Sequence, residues 1–155
     1  CIKRAEKVEI PHKIIRGKDF PQKELFELEI INTLMYYDVE LVVMAGWMKI
    51  VTPFFINKFR NKIINIHPSL LPAYKGGYAI KESILNGSKI TGCSVHFVDE
   101  EVDSGSLIMQ AALPIRDDDD IESLSKRIHM LEHKILPHSI SRAGFLIRNN
   151  FMDKN

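Results

Sequence analysis

An asparagine and a histidine stand two positions apart where an apolar run of the chain ends. The run covers residues 62–67 and closes with Asn65, Ile66 and His67, and Pro68 follows directly. A short apolar run stopped by proline is typical of a buried strand leaving its sheet. Side chains two apart on a strand share a face, so Asn65 and His67 would stand together. In open α/β sheets, ligands bind at such strand ends.

An amide beside an imidazole has two interpretations. The chemical one is that the amide donates a hydrogen bond to a carbonyl oxygen as it gains charge, while the imidazole moves a proton. The structural one is that both side chains satisfy their polar atoms locally, as Asn often does in turns. The spacing of Asn65 and His67 leaves both interpretations open.

Two longer segments resemble the signatures of the folate-dependent formyltransferases, most closely their glycinamide ribonucleotide transformylase branch. The first is Asn-Ile-His-Pro-Ser-Leu-Leu-Pro at residues 65–72. The second starts with Gly-Cys-Ser-Val-His-Phe at residue 92 and ends in Asp-Ser-Gly at residues 103–105. Their order and spacing also fit that family. The resemblance implies transfer of a formyl group from 10-formyltetrahydrofolate to the amine of glycinamide ribonucleotide, a step of purine synthesis.

The resemblance also implies the residues of the site. Asn65 and His67 would stabilise the oxyanion, and Asp103 would tune His67, because a nearby carboxylate favours the imidazolium. The folate co-substrate would contact Lys23, Met48, Lys49, Ile50, Val51, Asn65, Asp99, Glu100, Glu101, Val102 and Asp103. Glycinamide ribonucleotide would contact Pro68, His129 and Glu132.

Composition taken without the resemblance favours ordinary roles for several of these positions. Lys23 in a first helical turn, and Asp103 in an acidic loop, are typical of solvated charges. His129 and His133 stand four apart, as metal ligands on a helix can, but no correctly placed glutamate or third ligand accompanies them. The aspartates at residues 117–120 are typical of a helix start. We therefore expect no metal.

The elements that position these groups follow an α/β pattern. Pro21 opens a helix to about Tyr37, and the apolar residues 41–46 predict a strand covered on both faces. Thr52 and Pro53 would start a short helix before the strand at 62–67, and strand–helix–strand order implies parallel pairing. We also expect a helix ending at Lys7, a short strand at 12–15 and a polar tail at 151–155.

The second half of the chain predicts a hairpin and a long helix. Residues 90–99 and 107–114 form the hairpin strands, with Asp103 in their loop, and Cys93 reads as a core residue. An amphipathic helix follows Asp120, and Pro137 should kink or break it. The resulting fold class is α/β, a Rossmann-like formyltransferase fold whose mainly parallel sheet is flanked by helices, with an antiparallel hairpin near one edge.

Whole-chain properties bound the partners. The 155 residues, 45% apolar and 26% charged, fit one globular domain over 1–155. A net charge of +1 predicts that the protein has no nucleic-acid partner. No apolar segment is long enough to span a membrane, so we also expect no membrane partner. Two cysteines suit a reducing cytoplasm. We expect a cytoplasmic monomer or homodimer. Relative to the family, the chain beginning at Cys1 is expected to lack a first strand and phosphate loop.

Three alternatives remain open at the sequence level. Formyltetrahydrofolate deformylases share the Asn-x-His and Asp elements, but they usually show His-His-Ser where this chain has His67-Pro68-Ser69. Methionyl-tRNA formyltransferases show His-Ala-Ser there and add a nucleic-acid-binding domain. The third alternative is a folate-binding fragment without catalysis.

Overall fold

The computed structural model describes residues 2–149 and 151, so Cys1 and most of the expected polar tail lie outside it. The described chain divides into two compact units, one ending at Val39 and the other beginning at Glu40. The expectation of a single domain over 1–155 stays a prediction.

The first unit is mainly helical. Its elements are α1 (Ile2–Lys7), a single 3₁₀ turn (Gly17–Asp19) and α2 (Lys23–Tyr36). The predicted helices are confirmed, with α2 starting two residues after Pro21. The predicted strand at 12–15 is wrong, because these residues form neither helix nor strand. A strand needs a neighbour for its backbone, and the sheet of the described chain begins only at Val42.

The second unit holds a four-stranded sheet and three helices within the described residues. They are β1 (Val42–Met44), α3 (Pro53–Lys58), β2 (Ile63–His67), α4 (Ala79–Leu85), β3 (Ile90–Phe97), β4 (Leu107–Pro114) and α5 (Ile121–Arg148). The strand order is β1-β2-β3-β4, so the predicted hairpin lies at one edge of the sheet. The α/β class and this hairpin are confirmed.

The sheet is mixed rather than mainly parallel. β1 and β2 pair in parallel, as the strand–helix–strand order predicted, but β2–β3 and β3–β4 are antiparallel. The connection from β2 to β3 starts beyond His67 and returns to the same end of the sheet, since His67 pairs with Ser94 and Ile64 with Phe97. Such a connection reverses the chain, whereas a crossover would have kept the strands parallel.

The core of this unit lies between the sheet and α5. Its buried residues are Ile64, Cys93, Val95, Phe97, Ile108, Leu124, Ile128, Ile135 and Ala143. Cys93 is therefore a core residue, as predicted, and burial raises the pKa of its thiol to about 12. A thiol that stays protonated at neutral pH is a poor nucleophile.

The starts of two helices follow from local capping, whereas the course of α5 follows from its packing into the core. Thr52 accepts a hydrogen bond from the Phe55 N–H with Pro53 next to it, and Asp120 forms a capping box with Ser123, so both predicted starts are confirmed. The predicted break at Pro137 is wrong, because α5 continues through it. Buried residues on both sides of Pro137 pack into the same core, and this packing outweighs one lost N–H donor.

None of the helices in residues 2–149 combines the length and apolar character needed to cross a membrane.

Candidate active site

A cavity of about 420 Å³ opens at the carboxyl end of β1 and β2. Its lining comes from Met44 and residues 46–51 at and after the end of β1, Ile56 of α3, residues 65–68 at the end of β2, Gly76 and Gly77, residues 96 and 98–103 around the β3–β4 loop, and His129 and Glu132 on α5. All of them belong to the second unit. A concave site of this size, formed where strands end, is typical of small-molecule binding.

The strand register brings the predicted pair to this cavity. Met44 at the end of β1 pairs with Asn65, and Asn65 pairs on its other side with His96 of β3. Asn65 and His67 both line the cavity, as their two-residue spacing predicted. The β3–β4 loop adds Asp103, so the structure brings the three predicted catalytic residues together.

The two ring nitrogens of His67 both face acceptors. Nε2 donates to the carbonyl oxygen of Tyr74 at 2.7 Å, since a carbonyl can only accept. Nδ1 lies 3.3 Å from Oδ2 of Asp103. The ring is buried. Both ring nitrogens therefore lie next to an oxygen that can accept a hydrogen bond.

Asp103 lies between two imidazoles and is almost fully buried. Its Oδ2 accepts the backbone N–H of Gly76 at 2.8 Å, and its Oδ1 lies 3.5 Å from Nε2 of His96. Its backbone is left-handed, with φ of 51°, a conformation that aspartate tolerates better than most residues. The loop therefore turns the carboxylate inward, where composition would have placed a solvated charge.

His96 completes this cluster and was not among the predicted site residues. Its Nδ1 donates to the Phe97 carbonyl at 2.8 Å, which leaves Nε2 as an acceptor facing Asp103. Burial lowers the pKa of His96, against the raising effects of the Phe97 carbonyl and of Asp103, so the neutral ring is favoured. His96 lies at the cavity because it pairs with Asn65 of β2, and this pairing follows from the register of the two strands, which the sequence alone does not reveal.

Comparison with known proteins identifies the family of this chain. The sequence profile described as formyl transferase matches residues 1–140. The chain belongs to the formyl transferase family. It is 41% identical over 141 residues to a protein named phosphoribosylglycinamide formyltransferase from Bacillus subtilis, covering 91% of this chain and 72% of that protein.

Other formyl transferase relatives are longer or have solved structures. The chain is 45% identical over 139 residues to the trifunctional purine biosynthetic protein adenosine-3 of Chironomus tentans, covering 90% of this chain. The chain spans 10% of that relative's length. The crystal structure of phosphoribosylglycinamide formyltransferase from Bacillus halodurans is similar, with a TM-score of 0.85 and 36% identity, over 94% of this chain and 74% of the other.

The predicted folate contacts of this formyl transferase domain fall into two groups. Met48, Lys49, Ile50 and Val51 line one side of the cavity, and the acidic loop with residues 99–103 lines another. Met48 is 81% and Ile50 67% exposed, so two apolar side chains stand uncovered at the cavity. Lys23 belongs to the first unit, where it begins α2 with its Nζ 3.9 Å from Glu27, and its folate contact stays a prediction.

The predicted amine-substrate contacts also line the cavity. Pro68 follows His67, and His129 and Glu132 stand one turn apart on α5. Burial raises the pKa of Glu132, while His129, His133 and His67 oppose that shift. A carboxylate held in a cleft against its own desolvation marks a candidate functional residue. Across residues 2–149 and 151, no three His, Cys, Asp or Glu side chains form a group that could hold a metal.

The Glu132→Gln variant should be more stable than the parent chain at neutral pH but not at acid pH. Because the folded pKa of Glu132 is raised, its stability contribution is full below the unfolded pKa of about 4.5 and is lost as pH rises through the folded pKa. The melting-temperature difference should therefore widen from about pH 4 to about pH 7. A difference that stays constant with pH would contradict this, and exposed Glu122→Gln is the control.

Gly105→Ala should destabilise the loop that carries Asp103. A Cβ at Gly105 would lie 1.8 Å from the Phe97 carbonyl oxygen, so the backbone must move. We expect a loss of about 1–3 kcal/mol in urea unfolding, the cost of overpacking. In the control, Gly144→Ala on α5, a Cβ meets nothing within 4 Å, and a gain of about 0.5–1 kcal/mol is expected. Equal effects of the two changes would show that the close approach is unimportant.

Proposed function

We propose that this chain transfers the formyl group of 10-formyltetrahydrofolate to the amine of glycinamide ribonucleotide. The observation that carries the proposal is the convergence of Asn65, His67 and Asp103 on one cavity in a formyl transferase family member. The relatives named phosphoribosylglycinamide formyltransferase support the choice of substrate, since this chain covers 72% of the Bacillus subtilis protein at 41% identity.

The residues present fit a folate co-substrate. The cavity of about 420 Å³ lies in the range of small-molecule sites. Met48, Ile50 and Val51 offer apolar surface for the flat ring system, and covering the exposed Met48 and Ile50 would remove apolar surface from water. Lys49 belongs to the same segment of the cavity lining, and its ammonium group could bind a carboxylate of the folate's glutamate tail.

Another part of the cavity lining suits a polar amine substrate. Glu132 offers a carboxylate that accepts hydrogen bonds from hydroxyl or amine groups, and binding would return to it some of the hydrogen bonds that burial removed. His129 and Pro68 lie in the same lining and complete the proposed contact surface.

The chemistry of the chain's own groups supports formyl transfer. When bound, the co-substrate supplies a formyl carbonyl whose oxygen gains negative charge as the amine attacks. Asn65 lines the cavity and would donate its amide N–H to that oxygen. The Nε2 proton of His67 is bound to the Tyr74 carbonyl, so His67 would share its Nδ1 proton between that oxygen and Asp103 at 3.3 Å. Asp103 would balance the positive charge of His67 and take a proton from the attacking amine. As the bond between the formyl carbon and the folate nitrogen breaks, a proton would pass to that nitrogen, and tetrahydrofolate would leave.

The wider setting is part of the same proposal. The two substrates are small molecules, and we expect neither nucleic acid nor membrane as a partner. We propose a cytoplasmic protein that acts as a monomer or homodimer. A site whose proposed groups Asn65, His67, Asp103 and Glu132 all come from residues 40–149 is compatible with either state.

The test is release of tetrahydrofolate from 10-formyltetrahydrofolate, with and without glycinamide ribonucleotide. Release that requires the amine supports the transferase, and release in water without it would favour a deformylase. Folate binding without release would favour the non-catalytic alternative.

A further inference from the structure

The loop between β2 and α4 holds both His67 and Asp103 through its backbone. The Tyr74 carbonyl accepts the Nε2 proton of His67 at 2.7 Å. Two residues later, the Gly76 N–H donates to Oδ2 of Asp103 at 2.8 Å. One short stretch of main chain therefore orients the imidazole and the carboxylate of the proposed pair. A displacement of this stretch would move both groups relative to the cavity.

The side chain of Tyr74 ties this stretch to the rest of the unit. Its hydroxyl lies 2.6 Å from Oγ of Ser88, in the turn between α4 and β3. Ser88 is held in turn, because its N–H donates to the Ser83 carbonyl at 3.0 Å. Ser83 is fully buried on α4. The hydroxyl of Tyr74 is thus joined to a fixed part of the fold.

The backbone of Tyr74 needs such support. Its φ is 56°, in the left-handed region that costs a bulky L-residue roughly 1–2 kcal/mol. A conformation of this kind persists when surrounding contacts hold it, and such positions cluster at functional sites. Here the contacts are the Nε2 proton of His67 on the carbonyl and Ser88 on the hydroxyl.

We propose that Tyr74 is a positioning residue, whose hydroxyl contact with Ser88 holds the carbonyl that binds the Nε2 proton of His67 and so directs Nδ1 toward Asp103 and the cavity. A carbonyl can only accept, so it selects the ring form that carries hydrogen at Nε2. Without the contact between Tyr74 and Ser88, the Tyr74 carbonyl would occupy several positions, and the Nε2 proton of His67 would lose its fixed acceptor. The kinetic part of this inference rests on the proposed function.

The variant Tyr74→Phe removes only the hydroxyl, and Ser88→Ala removes only its partner. We expect each to lower kcat about fivefold, the effect of one ordinary hydrogen bond, with both KM values little changed. The double variant should lose no more than either single variant, because both act through one contact. The control is Tyr78→Phe in the same segment, whose side chain is 72% exposed and makes no capping bond.

A second readout needs no turnover. In ¹⁵N spectra of histidine-labelled chain, with the His67 signals assigned by their loss in His67→Asn, the parent chain should carry hydrogen on Nε2. Tyr74→Phe and Ser88→Ala should shift the His67 nitrogen signals toward exchange between ring forms, while Tyr78→Phe should not. Unchanged signals in the first two variants, or equal shifts in all three, would overturn the proposal. If the parent chain transfers no formyl group, the spectra still decide the positioning role separately.

Discussion

Replacing His67 by alanine is expected to lower kcat for formyl transfer about a thousandfold. The change removes the imidazole that lines the cavity and leaves the carboxylate of Asp103 without its partner at 3.3 Å. KM for either substrate should change little, because the lost interaction strengthens only as charge develops on the formyl oxygen. A loss confined to kcat would mark His67 as a catalytic residue rather than a binding residue.

The measurement is steady-state tetrahydrofolate release, with each substrate varied in turn at a saturating concentration of the other. His138→Ala is the matched control, since His138 is an exposed histidine on α5 outside the cavity lining. That control should stay within about twofold of the parent chain, as surface substitutions usually have small effects. A fully active His67→Ala variant would end the catalytic assignment of His67.

The strand-end pair could be predicted from sequence because its signal is local. An apolar run, a two-residue spacing and a following proline place Asn65 and His67 on one face at a strand end, and the structure has them there. The inward position of Asp103 could not be predicted from a local pattern, because the carboxylates of an acidic loop are usually solvated. Its inward turn depends on Gly76 and on the close approach of Gly105 to Phe97, contacts between segments far apart in the chain.

The remaining features depend on tertiary contacts that residue types do not encode. The Tyr74 carbonyl and Gly76 N–H are backbone groups, which every non-proline residue carries, so no motif distinguishes them. The place of His96 beside Asp103 follows from the antiparallel register of β2 and β3. Pro137 shows the same limit, since local propensity predicts a break and core packing overrides it.

Replacing Asp103 by asparagine is expected to lower kcat about a hundredfold or more while leaving the fold intact. An asparagine oxygen in the Oδ2 position still accepts from the Gly76 N–H, and its amide in the Oδ1 position can donate to Nε2 of His96. The lowered pKa of His96 means that this nitrogen is available as an acceptor. The substitution therefore removes the negative charge, keeps the bond to Gly76 and offers a donor to Nε2 of His96, a buried atom without a hydrogen-bond partner among the described residues.

The Asp103→Asn assay uses kcat together with the melting temperature. Asp117→Asn is the control, because Asp117 is a surface carboxylate that pairs with the exposed Lys89 at 3.2 Å. It should leave kcat within about twofold. A large fall in melting temperature for Asp103→Asn would indicate a structural role instead.

The combination of the two changes tests how Asp103 acts. If its charge works through His67, the variant His67→Ala with Asp103→Asn should be no slower than His67→Ala, because residues that act as one unit are not additive. The ion-pair distance of 3.3 Å between the two side chains supports this outcome. If the two losses multiply, Asp103 instead takes the proton of the attacking amine directly. The neutral His96 at 3.5 Å would then be the next group able to receive it.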